Sequence, residues 1–256
     1  MLEQSHAKKD HVLKRIASSP FMFAFIAFLI GLNLRPILAS IGPLFPVLQR
    51  EAGLSSTEFS LLTTLPVAMM GLVALSGPWL LARTGAVRGI TVGLSILLFA
   101  CLFRGFSTSL TGLMCTALAG GASIGMIQAL MPALIKKEYT QSASTFMSLF
   151  STGIMAGAAL AAATAEPLFT RLELKPTLAI AGLLALLALI FWLSWARRRQ
   201  VEKTVFAEVT LSSSRTGLLL LFFGIGTGAY TLVLAWLPPL YIQAGWSARS
   251  SGYMLA

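Results

Sequence analysis

Charged residues are scarce in this chain of 256 residues, at 11% of the total. Soluble globular domains usually carry about 25% charged residues. Hydrophobic residues make up 56% and the mean hydropathy is +0.81. These proportions exclude a disordered chain and a small disulfide-stabilised scaffold, and they make a soluble domain a poor description. They are typical of a protein that lies within a lipid bilayer.

The residues needed for common catalytic and metal sites are also few. Both histidines lie within the first eleven residues, and both cysteines lie inside apolar stretches. The sequence lacks a zinc-protease HExxH motif, a P-loop and paired carboxylates. We therefore predict that the protein is not an enzyme and that it uses neither a metal nor a cofactor.

Long apolar runs follow one another along most of the chain. A membrane helix needs about 20 apolar residues to cross roughly 30 Å of hydrocarbon, and an unpaired backbone group in lipid is costly. The runs therefore predict an all-α, polytopic membrane protein. They cover residues 21–48, 58–81, 89–104, 109–135, 143–168, 176–195 and 215–241, and an eighth begins after residue 247.

Basic residues give a net charge of +10 and cluster between the runs. Because no basic helix carries interleaved aromatic residues, we do not expect nucleic-acid binding. If the N-terminus is cytoplasmic, thirteen of the nineteen Lys and Arg residues fall on the inner side. Five fall on the outer side, and this asymmetry predicts a cytoplasmic N-terminus. The outer five are Arg50, Arg104, Arg171, Lys175 and Arg249.

The loops divide the chain into a complete bundle and a partial one. We predict a cytoplasmic tail (1–20), a six-helix bundle (21–195), an inter-bundle loop (196–214) and the start of a second bundle (215–256). A weak repeat, offset by 192 residues, places Pro46 opposite Pro238 and Gly53 opposite Gly245. A parallel repeat of six-span units gives such an offset.

Arg35 is the most informative residue, because it lies inside the first span and next to Pro36. A charge within the bilayer costs several kcal/mol and normally faces a cavity or a partner. The planar guanidinium suits a small anion, and the proline predicts a break in the helix. The alternative is that Arg35 only braces the bundle. Asn33 is a second candidate for the edge of the same cavity.

Two further polar side chains lie inside apolar runs. Gln128 of span four is a candidate substrate contact, or else a hydrogen-bonded bridge between helices. Glu166, near the outer end of span five, is a candidate for ion coupling or gating, although an interfacial glutamate is the simpler interpretation. Glycines spaced four apart, such as Gly121 and Gly125 or Gly153 and Gly157, predict close helix packing.

Residues 31–46 resemble span one of the cyanate transporter branch of the major facilitator superfamily. Segments 61–66, 127–137 and 235–238 are similar to the same branch. The resemblance implies twelve spans in two bundles, alternating access around a central site, and a small anionic substrate such as cyanate. It also implies further spans after residue 256, so we expect the chain to hold one bundle and the first one or two helices of the next.

The loop between spans two and three departs from the pattern of the superfamily, G-x-x-x-D-R-x-G-R-K. Arg83 and Gly85 fit its spacing and are candidates for gating, whereas Ala82 stands where the aspartate is expected. We predict a monomeric, multi-pass transporter of a small anion in the bacterial inner membrane, with the bilayer as its partner. The alternatives are an exporter of neutral, drug-like molecules and a truncated remnant that does not transport.

Overall fold

The computed structural model describes residues 20–106, 109–197 and 213–255, and they form helices joined by short turns. Seven helices among them are long and apolar enough to cross a membrane. This confirms the all-α, multi-pass fold class. The helices are α1 (Pro20–Asn33), α2 (Pro36–Ala39), α3 (Phe45–Ala52), α4 (Ser56–Leu75), α5 (Gly77–Arg104), α6 (Leu110–Glu138), α7 (Ala143–Leu172), α8 (Leu174–Ala179), α9 (Ala181–Ala196), α10 (Ser213–Gln243) and α11 (Ala248–Leu255).

The first span is interrupted where the sequence predicts a break. Helix α1 ends at Asn33 and α2 begins at Pro36, so the two residues between them leave the helix. Proline has no N–H and its ring disfavours a helical conformation before it. The N–H of Leu34 bonds instead to the carbonyl of Gly31, at 3.0 Å. Arg35 therefore sits on an irregular segment in the middle of a span.

The second and third spans meet at a glycine rather than at a loop. Gly85 has φ 70° and ψ 161°, which places a sharp bend inside α5. Only glycine adopts such a conformation readily. The run that the sequence places from residue 89 onward begins just after this bend. At the start of α4, Ser55 and Glu58 form a reciprocal capping box.

Glycines bring span one and span five into backbone contact, as the four-residue spacing predicted. A Cβ built on Gly153 would overlap the carbonyl of Phe28, and one on Gly157 would overlap the carbonyl of Leu32. The Leu32 carbonyl is the one that Pro36 deprives of its helical partner. Gly121 and Gly125 of α6 lie equally close to the backbone of α4. The first of these ladders holds α7 against the part of the first span that precedes Arg35.

We expect Gly157→Ala to destabilise the bundle by about 1–3 kcal/mol, because the added methyl group would force the two backbones apart. Thermal unfolding of the purified protein in detergent measures this. Gly71→Ala is the matched control, since a Cβ there would meet no atom within 4 Å. Equal losses of stability in the two variants would contradict the close packing described here.

An aromatic cluster closes the bundle at the end where α1 begins. Phe23 stacks on Tyr139 with ring centroids 4.6 Å apart, and it contacts Phe146 and Trp195 at 5.4 and 5.0 Å. These rings join α1 to the end of α6, the start of α7 and the end of α9. Such aromatic pairs contribute about 0.5–1.5 kcal/mol each beyond the area they bury.

The predicted tail (1–20) and inter-bundle loop (196–214) fall almost entirely outside the described residues. The proposed boundaries of the two bundles, 21–195 and 215–256, therefore stay predictions. Eight of the thirteen basic residues on the predicted inner side lie in these two segments.

Candidate functional site

Arg35 is a buried cation with unsatisfied donors. Its side chain is only 6% exposed, and its Nε and Nη1 atoms are buried without a hydrogen-bond partner among the described residues. It makes no ion pair with any described carboxylate. Buried polar groups are nearly always hydrogen-bonded, and an unpaired buried charge is especially costly. The site therefore favours an anionic partner that the described residues do not supply.

Helix α10 supplies the wall opposite Arg35. The guanidinium carbon lies 5.2 Å from the centroid of the Tyr230 ring, within the range of a cation–π interaction. The two side chains border an open cavity of about 450 Å³ between the break in the first span, α7 and α10. The other lining residues are Met155, Phe222, Ile225, Gly226 and Thr227. The cavity thus has an apolar wall and one strong positive charge.

The other two substrate-binding candidates do not line this cavity. Asn33 is buried, and its Nδ2 donates to the Leu29 carbonyl of its own helix at 2.7 Å. Gln128 is half-buried on α6 and makes no side-chain hydrogen bond to a described residue. Of the three candidates, Arg35 alone borders the cavity, so a contact of Asn33 or Gln128 with substrate stays a prediction.

The gating candidates lie at two other places. Arg83 is exposed and stacks its guanidinium over the Trp79 ring at 4.8 Å, two residues before the bend at Gly85. Glu166 is half-buried near the end of α7, where its charge acts on Arg249 of α11. Helix α7 belongs to the predicted six-helix bundle, and α11 belongs to the predicted start of the second bundle.

Arg104 is a functional candidate that sequence reasoning missed. It counted as an outer-loop residue because it ends an apolar run, yet its side chain is 1% exposed. Nη1 donates to the Ile37 carbonyl at 2.7 Å, and Nε donates to the Thr116 hydroxyl at 3.1 Å. The outer side of the membrane stays a prediction for Arg104, but its side chain is not exposed in a loop. A position at the end of a run gave no sign that the side chain turns back into the bundle.

Helices α10 and α11 contact the bundle mainly at one end. A Cβ on Gly42 would lie 3.0 Å from the Leu234 carbonyl, and one on Gly252 would lie 2.5 Å from the Ala162 carbonyl. At the same end, the ring of Trp236 lies 5.5 Å from that of Phe59. We call these three contacts the end latch. In contrast, the first half of α10 carries exposed apolar side chains, including Leu218, Leu221 and Phe222.

Comparison with known proteins identifies the family. The model of the Major Facilitator Superfamily matches residues 21–256. The chain belongs to the major facilitator superfamily. Over 235 residues it is 39% identical to the cyanate transport protein CynX of Escherichia coli (strain K12), which confirms the branch named from residues 31–46. That match covers 90% of this chain and 61% of the relative.

Two other proteins bear on the comparison. The 2-nitroimidazole transporter of Escherichia coli (strain K12) is 26% identical over 230 residues, covering 88% of this chain and 58% of the relative. A crystal structure of the peptide transporter POT matches with a TM-score of 0.61 and 15% identity, covering 82% of this chain and 46% of that one. The likeness to the peptide transporter structure supports the fold alone. The chain thus spans about three fifths of the length of these curated relatives.

Proposed function

We propose that this chain forms the first bundle and the start of the second bundle of a carrier that moves a small anion across the bacterial inner membrane. The observation that carries the proposal is the buried guanidinium of Arg35 beside a cavity, where two of its nitrogens have no hydrogen-bond partner among the described residues. A guanidinium stays protonated at any physiological pH and is more weakly hydrated than an ammonium group. It can therefore release its hydration water for an anion without a change of protonation.

Cyanate is the substrate that we propose first. The relative that is 39% identical is described as a cyanate transport protein. A small linear anion can approach the edge of the guanidinium while its apolar flank contacts the Tyr230 ring or Met155. Charge-assisted hydrogen bonds to an ionised acceptor are roughly twice as strong as neutral ones.

Alternating access fits the distribution of contacts around the cavity. The end latch holds α10 and α11 against the bundle on one side of Arg35, and the exposed first half of α10 lies on the other side. If the N-terminus is cytoplasmic, the latch is at the outer end and the cavity opens inward. Transport then requires the latch to open and the opposite side to close.

The apolar wall supports a second candidate, an exporter of neutral aromatic compounds. Met155, Phe222 and Ile225 line the cavity, and one relative is described as a 2-nitroimidazole transporter. In this mechanism Arg35 is structural and Tyr230 stacks on the ligand.

Uptake into proteoliposomes that contain the full-length protein distinguishes the two functions. We expect labelled cyanate to accumulate and unlabelled cyanate to compete, whereas 2-nitroimidazole neither moves nor competes. Movement of 2-nitroimidazole that excess cyanate does not inhibit would instead support the exporter. Liposomes without protein provide the background for both compounds.

We expect Glu166→Gln to leave cyanate uptake within about twofold of the wild type, because a half-buried residue away from the cavity has little effect on binding. The measurement is uptake with and without an imposed proton gradient. Loss of a proton-gradient response in Glu166→Gln alone would contradict this prediction and assign the carboxylate to coupling.

A further inference from the structure

A second buried arginine holds the segment that carries Arg35. Arg104 ends α5, and its side chain crosses to the interrupted first span, where Nη1 bonds to the Ile37 carbonyl at 2.7 Å. Ile37 is two residues from Arg35, on the one-turn helix α2. A helix of four residues has little intrinsic stability, since the first turn of a helix is costly to form. Its orientation therefore depends on contacts from neighbouring helices.

The Ile37 carbonyl can accept a hydrogen bond from Arg104 because α2 ends before a helical N–H could reach it. In a continuous helix the Ile37 carbonyl would accept from the N–H of Ile41. Here the N–H of Ile41 bonds to the Leu38 carbonyl at 3.3 Å, and the helix stops at Ala39. A backbone carbonyl left unpaired in the membrane interior costs several kcal/mol. The guanidinium of Arg104 satisfies it with a charge-assisted bond.

The other contacts of Arg104 fix its direction. Nε donates to the Thr116 hydroxyl at 3.1 Å, which ties the side chain to α6. No described carboxylate forms an ion pair with Arg104, and Nη2 is buried without a partner among the described residues. A brace for the bundle alone could be built from an uncharged side chain at lower desolvation cost.

Resting on the function proposed above, we propose that Arg104 is a positioning residue for the substrate site: its bond to the Ile37 carbonyl sets the direction of α2 and thereby the direction in which Arg35 faces the cavity. Arg104 does not line that cavity, so it acts through Arg35 and has no contact with substrate of its own.

The test compares Arg104→Met with Arg104→Lys in the full-length protein, reconstituted in proteoliposomes. Methionine is unbranched and apolar and has no donor, so it removes the bond to the Ile37 carbonyl together with the buried charge. Lysine keeps a donor and the charge. We expect the KM for cyanate to rise about tenfold in the methionine variant and to stay within about threefold in the lysine variant, because lysine can still donate to the Ile37 carbonyl and methionine cannot. Arg104→Met should also lower the thermal stability, because it leaves the Ile37 carbonyl without its donor, whereas Arg104→Lys should stay close to the wild type.

A second measurement separates orientation from simple attraction by charge. Arg35→Cys is labelled with a neutral maleimide, with Cys115 replaced by alanine because that thiol is exposed. We expect Arg104→Met to change the labelling rate at position 35 by about threefold or more, since α2 loses the bond that orients it. Arg104→Lys should leave the rate unchanged.

Three results would overturn the proposal. The first is an unchanged KM in Arg104→Met while Arg35→Ala loses transport, because the substrate site then stands without Arg104. The second is a raised KM with an unchanged labelling rate, because Arg104 then acts through its charge alone. The third is a loss of thermal stability with no change in KM, because Arg104 is then only a brace. Retained transport in Arg35→Ala would instead refute the proposed function itself.

Discussion

Replacing Arg35 by alanine should lower cyanate uptake at low substrate concentration by about 100-fold or more. Truncating one partner of a buried charge pair costs about 2–5 kcal/mol, and each 1.4 kcal/mol corresponds to a factor of about ten. Arg35→Lys should also be poor, by about tenfold, because a point ammonium cannot reproduce the planar set of donors. Arg35→Met keeps the bulk of the side chain and should behave like the alanine variant.

Arg50 offers a matched control for the arginine variants. It lies on α3, in the same region of the chain, but its side chain is 72% exposed and pairs with Glu51 at 3.8 Å. We expect Arg50→Ala to transport cyanate like the wild type, since exposed ion pairs contribute little. Similar losses in Arg50→Ala and Arg35→Ala would show that a general change of charge, and not the cavity, explains the effect.

The end latch gives the second large effect. Gly252→Leu should reduce cyanate uptake at least about tenfold, because the leucine would collide with the backbone at Ala162 and forcing extra methylenes into a packed contact costs about 1–3 kcal/mol. Binding of cyanate should change much less, since Gly252 does not line the cavity around Arg35. A variant that binds but does not transport indicates that the latch must close during the cycle.

Ser250→Leu is the control for the latch. It adds the same side chain on an exposed position of the same helix, α11, and should leave uptake near that of the wild type. Equal losses in both leucine variants would contradict the latch, because the effect would then come from α11 as a whole. Unchanged uptake in Gly252→Leu would contradict it as well.

Much of the fold could be predicted because the bilayer leaves few alternatives. Apolar runs of membrane length must be helices, so the spans follow from hydropathy. Pro36 breaks the first span because its ring and its missing N–H disrupt the helix locally. Gly153 and Gly157 lack a side chain, so the backbones of α7 and α1 can come into contact. Each of these features depends on residues near in sequence or on a simple spacing.

The candidate site was only partly predictable, because its partners come from distant parts of the chain. A lone arginine in an apolar run is visible in the sequence, but Tyr230, which lies under it, is almost 200 residues away. Asn33 turns back to the Leu29 carbonyl, a rotamer choice that its position does not determine. Arg104 was missed because burial of a terminal side chain depends on tertiary packing.

Equilibrium binding of labelled cyanate to the purified full-length protein tests the central claim most directly. Wild type and Arg35→Met are compared at short incubation times, with excess unlabelled cyanate to define specific binding. We predict saturable binding to the wild type, and at least about 100-fold weaker binding to Arg35→Met. Equal affinity in the two proteins would contradict the assignment of Arg35 as the anion-binding residue.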